Sequence, residues 1–319
     1  MRFLTRILGL SLAGLISTAA YAQSDYPSEP LRIIVPTDAG GSVDALARIF
    51  QRGIEKQKVY PSVVVVNLPG AGGTIGTRAL REAKPDGYTI ALWTSGVITS
   101  KAMGVVDYDH TAFTVLGGTG QTEIGMGVLD SSPIKTPQDL IEMSKANPGS
   151  ITVATNIGLP VFFIPMMFQE EAGIEMKFVQ IGGGAKRLAS ILGGHTDIAQ
   201  FSVSEFQQYK ESGLRPLFLY SQERSAELPD VPTAVESGVN LSITEPRIWI
   251  APAGLGDAEA AKLREVLSTV AADPNIVAEL EGQGIDPTWY GPEPTKEQLD
   301  DAAARTEPLA AAARGMSGQ

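Results

Sequence analysis

The chain has 319 residues, a length for two domains or one large one, and with 43% hydrophobic and 19% charged residues its composition fits a globular protein and excludes a disordered tail or a fibre. It has no cysteine and two histidines, His110 and His195, so disulfides, cysteine nucleophiles, thiolate metal sites and a lipidated-cysteine anchor are excluded, and no metal site or cofactor is expected. A formal charge of −11 argues against nucleic acid and anionic lipid as partners.

Arg2 and Arg6 form a basic head, 7–20 is an apolar run, and Ala20-Tyr21-Ala22 is a small-x-small cleavage pattern. The run is too short for a spanning helix, which needs roughly 20 residues. These features predict a signal peptide over 1–22 and an exported, soluble mature protein beginning near Gln23. Without a cysteine it is not lipid-anchored, and the expected location is a bacterial periplasm. Losing Arg2 and Arg6 with the leader makes the charge of −11 more negative by two.

Beyond the leader, β-branched runs alternate with helical patterns, which predicts an α/β fold with mostly parallel sheets and helices on both faces. Strands are expected over 31–35, 63–67, 88–94, 151–155, 177–181, 197–203, 217–221 and 248–251. Most are apolar without alternation, as strands covered on both faces are. Val43, Leu46, Ala47, Phe50 and Ile54 mark one helical face behind a possible Ser42 cap. Thr136-Pro137-Gln138-Asp139 carries a cap, a first-turn proline and an acid. Asp257 precedes Leu263, Val266, Leu267 and Val270 at helical spacing, and Thr295 with Gln298 reads as a capping box for the final helix. The glycine-rich stretch 114–126 suits a crossing between lobes, and 228–246, with Pro229, Pro232 and Pro246, suits a return. The expected division is a first lobe of 23–121 plus 245–319 and a second lobe of 122–244.

Two glycine loops carry the chemistry of the first lobe. Pro36-Thr37-Asp38-Ala39-Gly40-Gly41-Ser42-Val43-Asp44 lies between a strand and a helix, so free N–H groups at the helix start can seat an anion. The same pattern also suits a plain, well-capped turn. Asn67-Leu68-Pro69-Gly70-Ala71-Gly72-Gly73-Thr74-Ile75-Gly76 is a second such loop. It is not a dinucleotide fingerprint, because Ile75 stands where the third glycine is needed. Thr155-Asn156-Ile157-Gly158 and Ile181-Gly182-Gly183-Gly184-Ala185 are the corresponding loops of the second lobe. Lys186 and Arg187 read as solvated helix positions rather than ligand contacts, and Asp197 and Ser202 as residues that end or cap elements. Neither histidine has a G-x-S-x-G serine or a cysteine to activate, so no enzyme is expected.

The ordered set of motifs resembles the substrate-binding proteins of tripartite tricarboxylate transporters, the Bug receptor family. It comprises Tyr26-Pro27, Ile33-Ile34-Val35-Pro36, Gly40-Gly41-Ser42-Val43-Asp44, Arg48, and Asn67 through Gly73 with Gly76. Pro85-Asp86-Gly87-Tyr88-Thr89, Leu192-Gly193-Gly194 with Asp197, and Gly213-Leu214-Arg215 follow. Arg224, Pro229-Asp230-Val231-Pro232-Thr233, Glu236-Ser237-Gly238 and Ala251-Pro252-Ala253-Gly254 complete it, spanning nearly the whole mature chain.

The resemblance implies a monomeric, two-lobed receptor of the Venus-flytrap type. Such a receptor binds a small di- or tricarboxylate between its lobes and delivers it to membrane permease subunits. In the family, backbone amides and hydroxyls of the loops after the first two strands hold the carboxylate. That nominates Thr37, Ala39, Gly40, Gly41, Ser42 and Asp44, then Gly70, Ala71, Gly72 and Gly73, with Thr94 and Ser95 as additions. The other end of the ligand would meet Thr155, Asn156, Gly158, Gly182, Gly183, Gly184 and Ala185, and Asp197 and Ser202 are kept as candidates.

This chain departs from the family mainly in the second lobe. Ile157 through Phe163 is apolar where the family shows glycine, serine and histidine, which favours an aromatic or hydrocarbon ligand over citrate. Arg247 stands ahead of the Ala-Pro-Ala-Gly turn and can either bind a second carboxylate or pair with Glu245 or Glu236. Two other functions remain open: a ligand sensor for a membrane kinase, and, less well supported, an exported hydrolase using Ser42 or Ser95.

Overall fold

The computed structural model describes residues 26–37, 39–40, 42–282 and 285–317. The expected leader lies outside the described residues. The chain opens with β1 (Leu31–Val35), α1 (Ser42–Gln57), β2 (Val63–Asn67), α2 (Thr74–Arg81), β3 (Thr89–Trp93) and α3 (Gly96–Ala102). β4 (Phe113–Thr122) and β5 (Ile124–Leu129) follow with Glu123 between them. Next come α4 (Pro137–Ala146), β6 (Thr152–Thr155), α5 (Pro160–Ala172), β7 (Lys177–Gln180), α6 (Gly184–Leu192), β8 (Ile198–Ser202), α7 (Val203–Tyr209) and β9 (Leu214–Leu219). The chain ends with β10 (Glu245–Pro252), α8 (Asp257–Ala271), α9 (Pro274–Glu281), β11 (Trp289–Tyr290), α10 (Pro292–Thr306) and α11 (Ala310–Ser317).

Two mixed sheets result. The first has the order β11-β4-β10-β3-β1-β2 and the second β7-β6-β8-β5-β9. β1 runs parallel to β2 and β3, and β6 parallel to β7 and β8. β10 is antiparallel to β3 and β4, and β5 antiparallel to β8 and β9. Thus the chain leaves one sheet and enters the other at Glu123, and β10 brings it back.

Each sheet is covered on both faces, which explains the unbroken apolar strands. On the first sheet, Leu46, Phe50 and Ile54 of α1 pack with Leu263, Val266 and Val270 of α8, while Leu80, Val97 and Leu299 cover the opposite face. Trp249 of β10 is fully buried against Phe50 at 4.9 Å, and its indole Nε1 donates to Thr119 Oγ1 at 2.9 Å. The second sheet is sandwiched between Leu140, Ile164 and Phe168 on one side and Leu188, Ile191 and Phe206 on the other. A smaller cluster joins the lobes: Ala102 of the first, Phe162, Phe163 and Met166 of α5, and Leu309, Ala310 and Ala313 near the C-terminus.

The glycine-rich stretch 114–126 holds the crossing, at Glu123, and is otherwise strand, its glycines making room for neighbours. A Cβ on Gly117 would lie 2.5 Å from the Trp289 ring, and one on Gly125 2.2 Å from the Phe218 carbonyl oxygen. Thr295 does not cap the last helix: α10 starts after Gly291, with Pro292 at its first position, and Thr295 Oγ1 donates back to the Gly291 carbonyl at 2.8 Å. α11 then follows as the last helix. The Thr136 capping box on α4 forms in full.

Candidate ligand cleft

The loop after β1 is organised by Asp44, in the first turn of α1. Asp44 Oδ2 accepts from the Gly40 N–H at 2.9 Å and from Arg48 Nε at 3.0 Å. Asn67, at the end of β2, donates to Asp44 Oδ1 at 3.0 Å and to the Thr37 carbonyl at 3.2 Å. Burial alone would raise the Asp44 pKa, but Arg48, the Gly40 amide and Asn67 outweigh it and hold the carboxyl below its usual range. Both Asp44 oxygens are therefore engaged within the loop, and the residue braces the turn after β1. Gly40, at φ 85°, has nothing within 4 Å of where a Cβ would stand. Ser42 is the first residue of α1, Ala39 is exposed, and Gly41 lies outside the described residues.

Gly70, Ala71, Gly72 and Gly73 take φ values of 115°, 46°, 67° and 88° in succession. A left-handed alanine costs about 1–3 kcal/mol, strain of the kind held at functional loops. Gly73 serves packing, since a Cβ there would lie 2.2 Å from the Trp93 indole. Gly72 faces the other lobe, 3.2 Å from Leu159 on the same measure. Thr94 is buried and its Oγ1 accepts from Gly96 N–H at 3.2 Å, while Ser95 precedes α3.

In the second lobe, Thr155 is fully buried; its Oγ1 donates to the Val161 carbonyl, and its own carbonyl accepts from Ile181 and Gly182. Asn156 Oδ1 accepts from Gln180 Nε2 at 2.8 Å, bracing the two loops together. Gly183 caps α6, which Gly184 and Ala185 begin. Asp197 is occupied elsewhere, accepting from Thr152 N–H at 2.8 Å and Thr152 Oγ1 at 2.5 Å. Ser202 caps α7 in a capping box with Glu205, a pattern legible in Ser202-x-x-Glu205.

A cavity of 730 Å³ lies between the lobes. Gly40, Ala45, Glu245 and Arg247 line it from the first lobe; Arg187, Gln200, Ser202, Ser204, Glu205 and Tyr209 line it from the second. Of the candidates it gathers Gly40, Ser202 and Arg247. Ala71, Gly72, Asn156 and Gly158 line a separate cavity of 340 Å³ with Met103 and Leu159. Gly70, Gly73, Thr94, Thr155, Gly182, Gly183, Gly184, Ala185 and Asp197 line neither, and Ser95 faces a third cavity with Gln121 and Thr244.

Arg247 is 6% exposed with Nη1 3.6 Å from Glu245 Oε2, so it both pairs with Glu245 and faces the cleft. Arg187, read from sequence as a solvated helix residue rather than a ligand contact, is instead buried, at 8% exposed. Its Nε donates to the Gln200 carbonyl at 3.1 Å and its Nη1 to the Gly182 carbonyl at 2.9 Å. Burial pushes its pKa down, opposed by Glu205, Tyr209 and Glu245. The apolar stretch 157–163 does not make the large cavity apolar. Phe162 and Phe163 are buried in the cluster that joins the lobes, and only Val161 of the stretch lines that cavity. Sequence reading missed Gln200, Glu205 and Tyr209, which meet Arg187 only through the fold.

Neither histidine lines the two cleft cavities, and His110 Nε2 sits 2.9 Å from Asp300 Oδ1 on α10. Among the described residues no group of three or more His, Asp or Glu could hold a metal ion, and no helix is long and apolar enough to cross a membrane.

Residues 46–314 match the model of the tripartite tricarboxylate transporter family receptor. A UPF0065 protein of Cupriavidus necator, encoded in the gbd 5' region, is 29% identical over 280 residues, covering 86% of this chain and 85% of that protein. Protein BugT of Bordetella pertussis is 27% identical over 314 residues, covering 96% and 95%. The periplasmic binding protein BugD has a similar structure, with a TM-score of 0.75 at 27% identity, covering 90% of this chain and 98% of that one. The chain belongs to the tripartite tricarboxylate transporter receptor family, with the two-lobed fold of its solute-binding proteins.

Proposed function

We propose that this receptor works in the periplasm, exported by the leader at 1–22, and captures a small organic acid between its lobes for delivery to membrane permease subunits, without catalysis. One observation carries the reading: the 730 Å³ cavity between the sheets receives a buried arginine from each lobe, Arg187 and Arg247. A ligand that meets both lobes favours the closed form over the open one, and that difference is what a permease can read.

The first lobe also holds polar atoms in wait. Thr37 Oγ1 and Trp93 Nε1, at the C-terminal ends of the neighbouring strands β1 and β3, are buried without a hydrogen-bond partner among the described residues. Leaving such an atom unpaired costs about 1–3 kcal/mol, and although neither residue lines the 730 Å³ cavity, both stand at the strand ends of the first lobe.

Thermal unfolding against a panel of organic acids tests this reading, with sugars and amines as controls. A saturating acid at ~100 times its dissociation constant adds about 2.7 kcal/mol of stability, a shift of several degrees. Shifts confined to acids support the reading, and shifts with sugars or amines alone contradict it.

A further inference from the structure

Each cleft arginine has a glutamate of its own lobe beside it. Arg187 Nη2 lies 3.8 Å from Glu205 Oε1, and Arg247 Nη1 lies 3.6 Å from Glu245 Oε2. All four side chains belong to residues lining the 730 Å³ cavity. Both are ion pairs, at separations longer than the about 2.7–2.9 Å of a direct charge-assisted hydrogen bond. The cavity thus offers two positive and two negative groups, a balance that suits a ligand of mixed polarity better than one carrying two negative charges.

The second lobe's anion seat is already taken. Glu205 Oε2 accepts from the Ser202 N–H at 2.8 Å and from its hydroxyl at 3.2 Å. Glu205 Oε1 rests against Gly184, so close that a Cβ there would lie 1.8 Å from it. Gly184 opens α6, so the positive end of that helix faces a resident carboxylate. A second carboxylate on the ligand would meet Glu205 instead of free N–H groups.

Gln200 supplies an independent observation. It is 4% exposed, lines the same cavity, and its Oε1 has no hydrogen-bond partner among the described residues. A buried acceptor without a donor points to an N–H or O–H brought by the ligand.

We propose that Glu205 makes the second lobe select against doubly charged acids. The ligand carries one carboxylate, held on the Gly40–Arg247 side, and a hydrogen-bond-donating nitrogen, ammonium or amide, held by Glu205 and Gln200. This rests on the organic-acid reading above and narrows its substrate class.

The test is calorimetric titration of the full secreted chain, wild type and Glu205→Gln, with acids matched in length. Succinate, glutarate and adipate are compared with their mono-amides and with 4-aminobutanoate, 5-aminopentanoate and 6-aminohexanoate. Glutamine serves the same capping-box position as glutamate, so the variant keeps the start of α7. The wild type is expected to bind a nitrogen-bearing acid at least about tenfold more tightly than the dicarboxylate of equal length, and E205Q to cut that preference about tenfold. Dicarboxylates binding the wild type as tightly as their nitrogen-bearing partners, or a preference untouched by E205Q, overturns the proposal while leaving the organic-acid reading in place. Failure of every acid to bind either protein contradicts the organic-acid reading itself.

Discussion

The Asp44 carboxylate accepts the Gly40 N–H at 2.9 Å, so the first turn of α1 sets the path of the loop that borders the cleft. Arg48 and Asn67 complete the brace, and Asn67 ties it to the end of β2. An acid nominated by motif as a ligand contact has both of its oxygens engaged within the loop. Asp44→Ala should weaken acid binding by about tenfold or more and cost about 1–3 kcal/mol, because several polar groups lose a partner together. Titration calorimetry and urea unfolding read the two effects separately. Unchanged affinity would show that the loop's path does not matter to the ligand.

Two glycines separate packing from selectivity. At Gly73 a Cβ would lie 2.2 Å from the Trp93 ring on a residue at φ 88°, so Gly73→Ala should cost about 2 kcal/mol or more from overpacking and strain together. At Gly184 the obstacle is the far end of the Glu205 side chain, which can swing away. Gly184→Ala should therefore cost about 1 kcal/mol or less and shift acid preference in the same direction as E205Q. Urea midpoints and the matched acid series check both. Equal stability losses in the two variants would contradict the distinction.

Acid should loosen the first lobe at Asp109. Burial would raise its pKa, but Lys101 Nζ at 2.6 Å and the Thr111 hydroxyl and N–H lower it from 3.8 to about 2. Because the folded value lies below the unfolded one, the stabilisation is present above about pH 4 and is lost as the pH falls toward 2. Asp109→Asn should remove that contribution and flatten the decline between those limits. Urea unfolding at stepped pH checks it, and an identical acid profile for variant and wild type would contradict the assignment.

What the sequence made legible follows physical lines. β1 and β2 lie at 31–35 and 63–67 as read, because short Ile- and Val-rich runs bounded by proline, asparagine and glycine have few other uses. β4 and β5 were hidden by glycines that weaken strand propensity and whose purpose is tertiary, as at Gly117 against Trp289. β9 begins three residues earlier than read, at Leu214, because its pairing with β5 extends to Leu129. In the cleft, the glycine loops could be read from their spacing, but Arg187 and Glu205 could not. They sit on different helices, and only the β8–α7 corner brings the Glu205 carboxylate to the start of α6.

The central claim is that an acid is held between the lobes, and amide hydrogen exchange with and without a bound acid tests it most directly. Added protection is predicted in both walls of the cleft at once, over 42–48 in the first lobe and 200–209 in the second, since closure buries both. Protection confined to one lobe, or located away from the cleft, would contradict the account.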